Sequence, residues 1–211
     1  MNIRNARNRD WPISARFLGE FRPDQQCASN GVAEHDTGIL SAPTAFGTTV
    51  IAASLIARRG VNTLVLVHRR LLLDQWRERL SIFLGVPLTH IGEIVGGKTA
   101  PTGAIDVALI QSLSRKGEVK DLVAGYGHVI VDECHHLSAV SFEKVMEEVK
   151  AKYVTGLNTT PVRKDGHHPI IVMQCGPIRH RIDPKKANLA APFRHAVLLA
   201  RQVSRLPAPL N

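Results

Sequence analysis

The chain has 211 residues, 44% of them hydrophobic and 21% charged, with a formal net charge of +9. That length serves one well-cored domain and is too short for two motor-sized domains, while the apolar share excludes wholesale disorder. The charge is uneven: residues 1–30 carry five Arg against three acids, residues 161–211 carry nine Lys/Arg against two acids, and the middle balances.

Taken in order, residues 1–20 form an irregular lead-in around Trp11-Pro12, as the remnant of an upstream domain would. Within and just past it, residues 13–21 roughly alternate in polarity, which predicts a strand. Arg22-Pro23-Asp24-Gln25-Gln26 predicts a helix start, because proline fits the first helical turn. Residues 37–41 are an apolar run leading into Ala42-Pro43-Thr44-Ala45-Phe46-Gly47-Thr48-Thr49, and residues 50–57 are again apolar. Strand, tight loop and helix is the reading, and such a loop turns backbone N–H groups and the positive helix end toward phosphates. The phosphate-loop pattern asks for Gly-x4-Gly-Lys-Ser/Thr. Here Ala42 replaces the first glycine, Gly47 and Thr49 match, and Thr48 stands at the lysine position. A threonine brings no charge to the terminal phosphates. By itself the octapeptide is equally a chance Gly/Thr turn.

Arg58-Arg59-Gly60 supplies the helix end, and residues 62–67 predict a buried strand running into His68-Arg69-Arg70 and an amphipathic helix over residues 71–80. Residues 86–98 are Gly/Pro-punctuated and predict a small hairpin or loop. Residues 105–110 predict a third buried strand, ending in Gln111-Ser112, where Ser112 is suited to cap a following helix. His128-Val129-Ile130-Val131 predicts another, ending in Asp132-Glu133. Two carboxylates at a strand's end suit magnesium binding and water activation, with a solvated acidic turn as the plain alternative. Residues 137–152 place Val140, Phe142, Val145, Met146 and Val149 on one helical stripe, assigned to the core. Tyr153-Val154 predicts a strand leading into Thr155-Gly156-Leu157-Asn158-Thr159-Thr160-Pro161, whose hydroxyls suit bonding to the acidic pair or make a plain turn. Residues 169–176 predict a last short strand, after which the period is lost.

Cys27, Cys134 and Cys175 form no metal-ligand spacing, which favours a reducing, cytoplasmic setting. The pairs His135-His136 and His167-His168 are poor chelates, since neighbouring side chains diverge. No run is long and apolar enough to cross a membrane. Strands alternating with helices imply an α/β fold with a mainly parallel central sheet and its phosphate site at the strands' carboxyl ends.

Together, the loop of residues 42–49, the pair Asp132-Glu133 and the Thr155–Thr160 stretch arrive in an order that resembles the first RecA-like motor domain of a superfamily 2 helicase. The resemblance is to the DExH type, in the branch that includes DNA-repair translocases and type III restriction subunits, and covers roughly residues 21–182. It implies a three-layer P-loop domain there, with a basic, proline-containing tail over residues 183–211. It further implies ATP and Mg²⁺ as cofactors, held by Pro43, Thr44, Ala45, Phe46, Gly47, Thr48 and Thr49, with Thr49 and Asp132 on the metal and Glu133 on the water. Arg22 and Gln25 match an adenine-reading motif, although Asp24 stands where an aromatic is common. His68 and Arg69 match one strand-gripping motif and Gln111 and Ser112 another; solvated arginines and a helix cap are the plain alternatives. His135, Thr155 and Thr160 would couple nucleotide to the second motor domain, and Asn158 and Thr159 depart from that motif. The expectation is a truncated, impaired ATP-binding motor domain of a DNA helicase or translocase, with RNA left open as the strand. A nonenzymatic basic nucleic-acid-binding module, or an ATPase completed by a second chain, are the alternatives.

Overall fold

The computed structural model describes residues 12–96, 98–115, 118–119, 121–133, 139–158 and 169–183. In chain order the elements are α1 (Pro23–Ala33), β1 (Thr37–Ser41), α2 (Thr48–Arg59), β2 (Thr63–Val67), α3 (Arg70–Leu84), β3 (Ile91–Val95), β4 (Lys98–Ala100), β5 (Ile105–Leu109), α4 (Ile110–Leu113), β6 (Ser114–Arg115), β7 (Glu118–Val119), β8 (His128–Asp132), α5 (Ala139–Glu147), β9 (Tyr153–Asn158), α6 (Pro169–Cys175) and β10 (Ile178–Arg181). The main sheet runs β10-β1-β9-β8-β2-β5-β3-β4. Its first seven strands are parallel, and only β4 is antiparallel, turning back on β3.

The apolar runs produce this sheet because both of its faces are covered. Every residue of β2 and of β8 is buried, as parallel strands between helical layers require. Alternate residues feed opposite cores. Leu40, Val65, Val67, Val107 and Ile130 pack with buried residues of α1, α2 and α3. Ile39, Leu64, Leu66, Ala108, Val129 and Val131 pack with Phe142, Val145 and Met146 of α5 and with Ile171 and Cys175 of α6. Two helical layers on one sheet make the three-layer architecture.

Register decides what meets at the carboxyl edge. Ser41 lies beside Asn158, and Leu157 beside Asp132, so β1 and β8 end level with each other on either side of β9. Two strand spacings, about 10 Å, separate them.

Two local expectations are corrected. Residues 13–21 are extended and alternate in exposure but join no sheet. Their backbone bonds are isolated ones, Ile13 N–H to the Gly60 carbonyl at 2.9 Å and Leu18 N–H to that of Phe83 at 2.8 Å, with a lone bridge from Pro12 to Val61. The segment straps the ends of α2 and α3 and stacks Phe17 on Phe21 at 4.8 Å. Residues 169–175 form the helix α6 and not a strand, because proline suits a first helical turn and Ile171 and Cys175, four apart, are both buried. The last strand is instead β10, an edge strand whose polar alternation hid it. The hairpin expected in residues 86–98 forms, with β3 turning back as β4 across Val95 and Lys98, and β3 also joins the main sheet beside β5.

Candidate functional site

The loop between β1 and α2 is built from both ends. Ala42 N–H donates to the Asn158 carbonyl at 2.9 Å, tying the loop's start to β9, and Phe46 N–H closes a turn on the Pro43 carbonyl at 3.1 Å. Gly47 caps α2 in the left-handed region at φ 92°, with no side chain accepting from the helix's first N–H groups. Those donors and the helix dipole therefore face the loop's mouth. Thr48 is half-buried and Thr49 buried in the first turn.

Arg22 and Gln25 meet this loop from α1. The Gln25 amide donates to the Phe46 carbonyl at 2.7 Å and accepts from Arg22 N–H at 3.0 Å. The Arg22 guanidinium donates to the same carbonyl at 2.9 Å and lies 5.4 Å from the Phe46 ring centre. A side chain at Gly47 would begin 2.6 Å from the Gln25 amide nitrogen, so both backbone conformation and this contact require glycine there. The amide that the resemblance assigns to a base edge is engaged here with the loop's own backbone.

Asp132 ends β8 and is buried. Burial pushes its carboxyl up to about 6, against the pull of the Trp76 indole N–H, which donates to Asp132 Oδ2 at 2.7 Å. The neighbouring Glu133 raises it further by its charge, while its backbone N–H lowers it. Glu133 itself sits at φ 52°, and Ala45 in the loop at φ 65°. These are the non-glycine residues with positive φ among those described, and both lie at the carboxyl edge. Strain of this kind costs on the order of 1–3 kcal/mol and gathers at functional sites.

Phosphates and a divalent cation fit what is present: uncapped helix donors, a buried hydroxyl at Thr49, and a buried carboxylate on the strand two places away. A hard cation would also favour the ionised form of Asp132 that burial disfavours.

The residues assigned to strand gripping also gather at this edge, since Val67 and Leu109 are register partners at the ends of β2 and β5. Gln111 donates to the His68 carbonyl at 3.0 Å, and Arg69 caps α3. Ser112 lies inside α4 and does not cap it; its hydroxyl accepts from Gly96 N–H at 2.8 Å, pinning the β3–β4 turn.

Among the described residues, Thr155 is the one site residue that the structure moves away. It lies three residues before the end of β9, about 10 Å back along the strand. Its hydroxyl accepts from Arg59 at 2.8 Å and lies 3.2 Å from His128 Nε2. Strand direction is the reason: a residue near the start of a parallel strand faces the opposite rim. His135 and Thr160 fall outside the described residues, as do both histidine pairs.

Trp76 is the contact that sequence reasoning missed. Its place on an amphipathic stripe reads as core. The usable signal was chemical, because a buried indole N–H needs an acceptor.

A family model described as "Type III restriction enzyme, res subunit" matches residues 18–163. The chain belongs to that family. Its domain is a RecA-like helicase ATP-binding domain. A mimivirus protein (Acanthamoeba polyphaga mimivirus) bearing the name of an ATP-dependent RNA helicase is 29% identical over 194 residues, covering 89% of this chain and 36% of its own length. The DNA 3'-5' translocase XPB2 of Sulfurisphaera tokodaii is 29% identical over 162 residues, covering 77% of this chain and 36% of its own length. Among solved structures, the UvsW helicase of bacteriophage T4 shares the fold with a TM-score of 0.65 at 20% identity, over 80% of this chain and 63% of that one. The chain spans between about a quarter and a little over half of the length of the curated relatives it matches. Among the described residues, no helix is long and apolar enough to cross a membrane.

Proposed function

We propose that this chain is the nucleotide-binding half of a DNA helicase or translocase motor, impaired in hydrolysis by Thr48. The observation that carries this reading is the level ending of β1 and β8 on either side of β9, which sets the uncapped start of α2 beside Asp132-Glu133.

In this reading, backbone N–H groups of Pro43–Thr49 other than Pro43's own take the phosphates, with Phe46 and Gly47 held in place by Arg22 and Gln25. Thr49 and Asp132 would hold a magnesium ion, which would supply positive charge to the nucleotide's phosphates. Glu133 orients and deprotonates the attacking water. His68, Arg69, Gln111 and Ser112 line the path of a nucleic-acid backbone, while His135 and Thr160 pass closure onward. Residues 21–182 act as the motor unit, and residues 183–211 as a basic extension. A second RecA-like domain, in the same polypeptide or another, supplies the arginines whose absence costs on the order of 10³–10⁵ in rate. DNA is the favoured strand because the translocase relative is named for it.

Thr48→Lys tests the reading. A charge-assisted contact contributes roughly 1.5–3 kcal/mol, so the variant should bind a fluorescent ATP analogue with magnesium about 10- to 100-fold more tightly. Unchanged affinity in a folded variant overturns the nucleotide site. Stimulation of phosphate release by single- or double-stranded DNA in that variant then separates a motor from a binding fold.

A further inference from the structure

We propose that Trp76 is a positioning residue for Asp132, an indole donor that fixes one carboxylate oxygen so that the group's remaining acceptor capacity is presented to the nucleotide-bound magnesium ion. The inference rests on the nucleotide reading above and adds to it a residue that neither the loop nor the acidic pair contains.

The geometry is specific. Trp76 is 3% exposed, on a 15-residue helix that packs against α2 and against β2, β3 and β5. It reaches Asp132 Oδ2 at 2.7 Å, a bond between buried groups 56 positions apart in sequence. A core position at that point of α3 asks only for bulk, which Leu73, Leu80 and Leu84 provide elsewhere on the same stripe. An indole there brings a donor that would be costly to bury unpaired, and it is paired with the carboxylate at the site's centre.

The choice of donor has a chemical consequence. An arginine or lysine bonded to Asp132 would hold the carboxylate as firmly but would cancel the charge that a cation needs; Arg79 acts on Asp132 through its charge, more weakly than the indole does. An indole N–H is a single neutral donor without acceptor capacity, so it fixes orientation and leaves the negative charge available. A carboxylate offers about four acceptor sites, and this bond takes one of them. Partners of metal ligands behave in this way generally, and removing one costs about 10- to 100-fold in metal affinity or activity.

The test uses the whole chain, a fluorescent ATP analogue and a magnesium titration, with Trp76→Phe and Asp132→Asn as variants. Phenylalanine keeps aromatic bulk and deletes the donor. Trp76→Phe should raise the magnesium concentration for half-maximal binding by about 10- to 100-fold, leave binding in chelator unchanged, and add nothing when combined with Asp132→Asn. An unchanged magnesium dependence in folded Trp76→Phe, or effects that add in the double variant, overturns the proposal alone if Asp132→Asn still loses its magnesium dependence. If Asp132→Asn also changes nothing, the nucleotide reading fails and the proposal with it. Should Trp76→Phe fail to fold, the wild-type chain decides. Added Mn²⁺ should broaden the ¹⁵N-indole resonance of Trp76, and Asp132→Asn should abolish that broadening. A Trp76 indole resonance that Mn²⁺ leaves unchanged overturns the proposal.

Discussion

Asp106 and Asp132 are both buried carboxylates in the same sheet, on strands separated only by β2, yet they are treated in opposite ways. Asp106 lies near the start of β5. It accepts from Thr102 N–H at 2.7 Å, the Thr102 hydroxyl at 2.9 Å, Gly103 N–H at 2.8 Å and the Tyr126 hydroxyl at 2.5 Å. Its neighbour in β3 is Gly92, where a Cβ would fall 1.9 Å from Asp106 Oδ1, so the sheet makes room for this carboxylate. Asp132, at the end of β8, has the Trp76 indole and a backbone N–H, and its ionised form is disfavoured by burial.

The same contrast separates the two rims as wholes. At the amino rim, Arg59 donates to His128 Nε2 at 2.5 Å, to Thr155 at 2.8 Å and to the His35 carbonyl at 3.2 Å, and stacks 4.6 Å from the Tyr153 ring centre. Burial, with the Arg59 charge beside it, holds His128 well below the ordinary histidine range, so it accepts as a neutral ring. The amino rim closes its polar groups on one another. The carboxyl rim accepts strain at Ala45 and Glu133 and a poorly solvated carboxylate. Burial of charge therefore marks function only where the partners are too few.

Three stability measurements would break or sharpen this contrast. Asp106→Ala strands four donors, two of them backbone, and should cost about 4 kcal/mol in denaturant unfolding while leaving nucleotide affinity alone. A loss below about 1 kcal/mol would show that the amino-rim network carries little. Arg59→Ala leaves the His128 ring, the Thr155 hydroxyl and the His35 carbonyl without their donor, and should cost about 2–3 kcal/mol, again without change in affinity.

The last effect has the opposite sign. Burial pushes the Asp132 carboxyl up to about 6 in the folded chain against an ordinary 3.8, so folding favours its protonated form. The stability associated with that form is complete below about pH 3.8 and is lost as pH rises through about 6. Asp132→Asn should therefore stabilise the chain by up to about 3 kcal/mol at pH 7–8, with the gain disappearing near pH 4. Thermal unfolding of both proteins across that range checks it, and destabilisation at pH 8 would place Asp132 with Asp106 as a structural carboxylate.

Much of the fold was legible because its signals are local. The apolar runs of β1, β2, β5, β8 and β9 each end in turn or polar residues, and a strand buried on both faces needs no partner to be recognised. The loop at Gly47 and the pair Asp132-Glu133 were legible for the same reason, as short patterns with their own chemistry. Residues 169–175 were misread because a β-branched run looks alike in a strand and in a helix until its packing face is known. Thr155 was assigned to the site because sequence shows that a threonine is near a strand's end without showing which rim it serves.

The sequence by itself determined the alternation of strands and helices, the phosphate-loop pattern with its missing lysine, and the acidic pair, since each depends on residues adjacent in the chain. Only the tertiary structure decided that β1 and β8 flank β9 with level ends, that Gln25 braces the loop, and that Trp76 holds Asp132. Those contacts join residues tens of positions apart, and strand order, register and the burial of an indole N–H are set by packing of the whole sheet and its two helical layers.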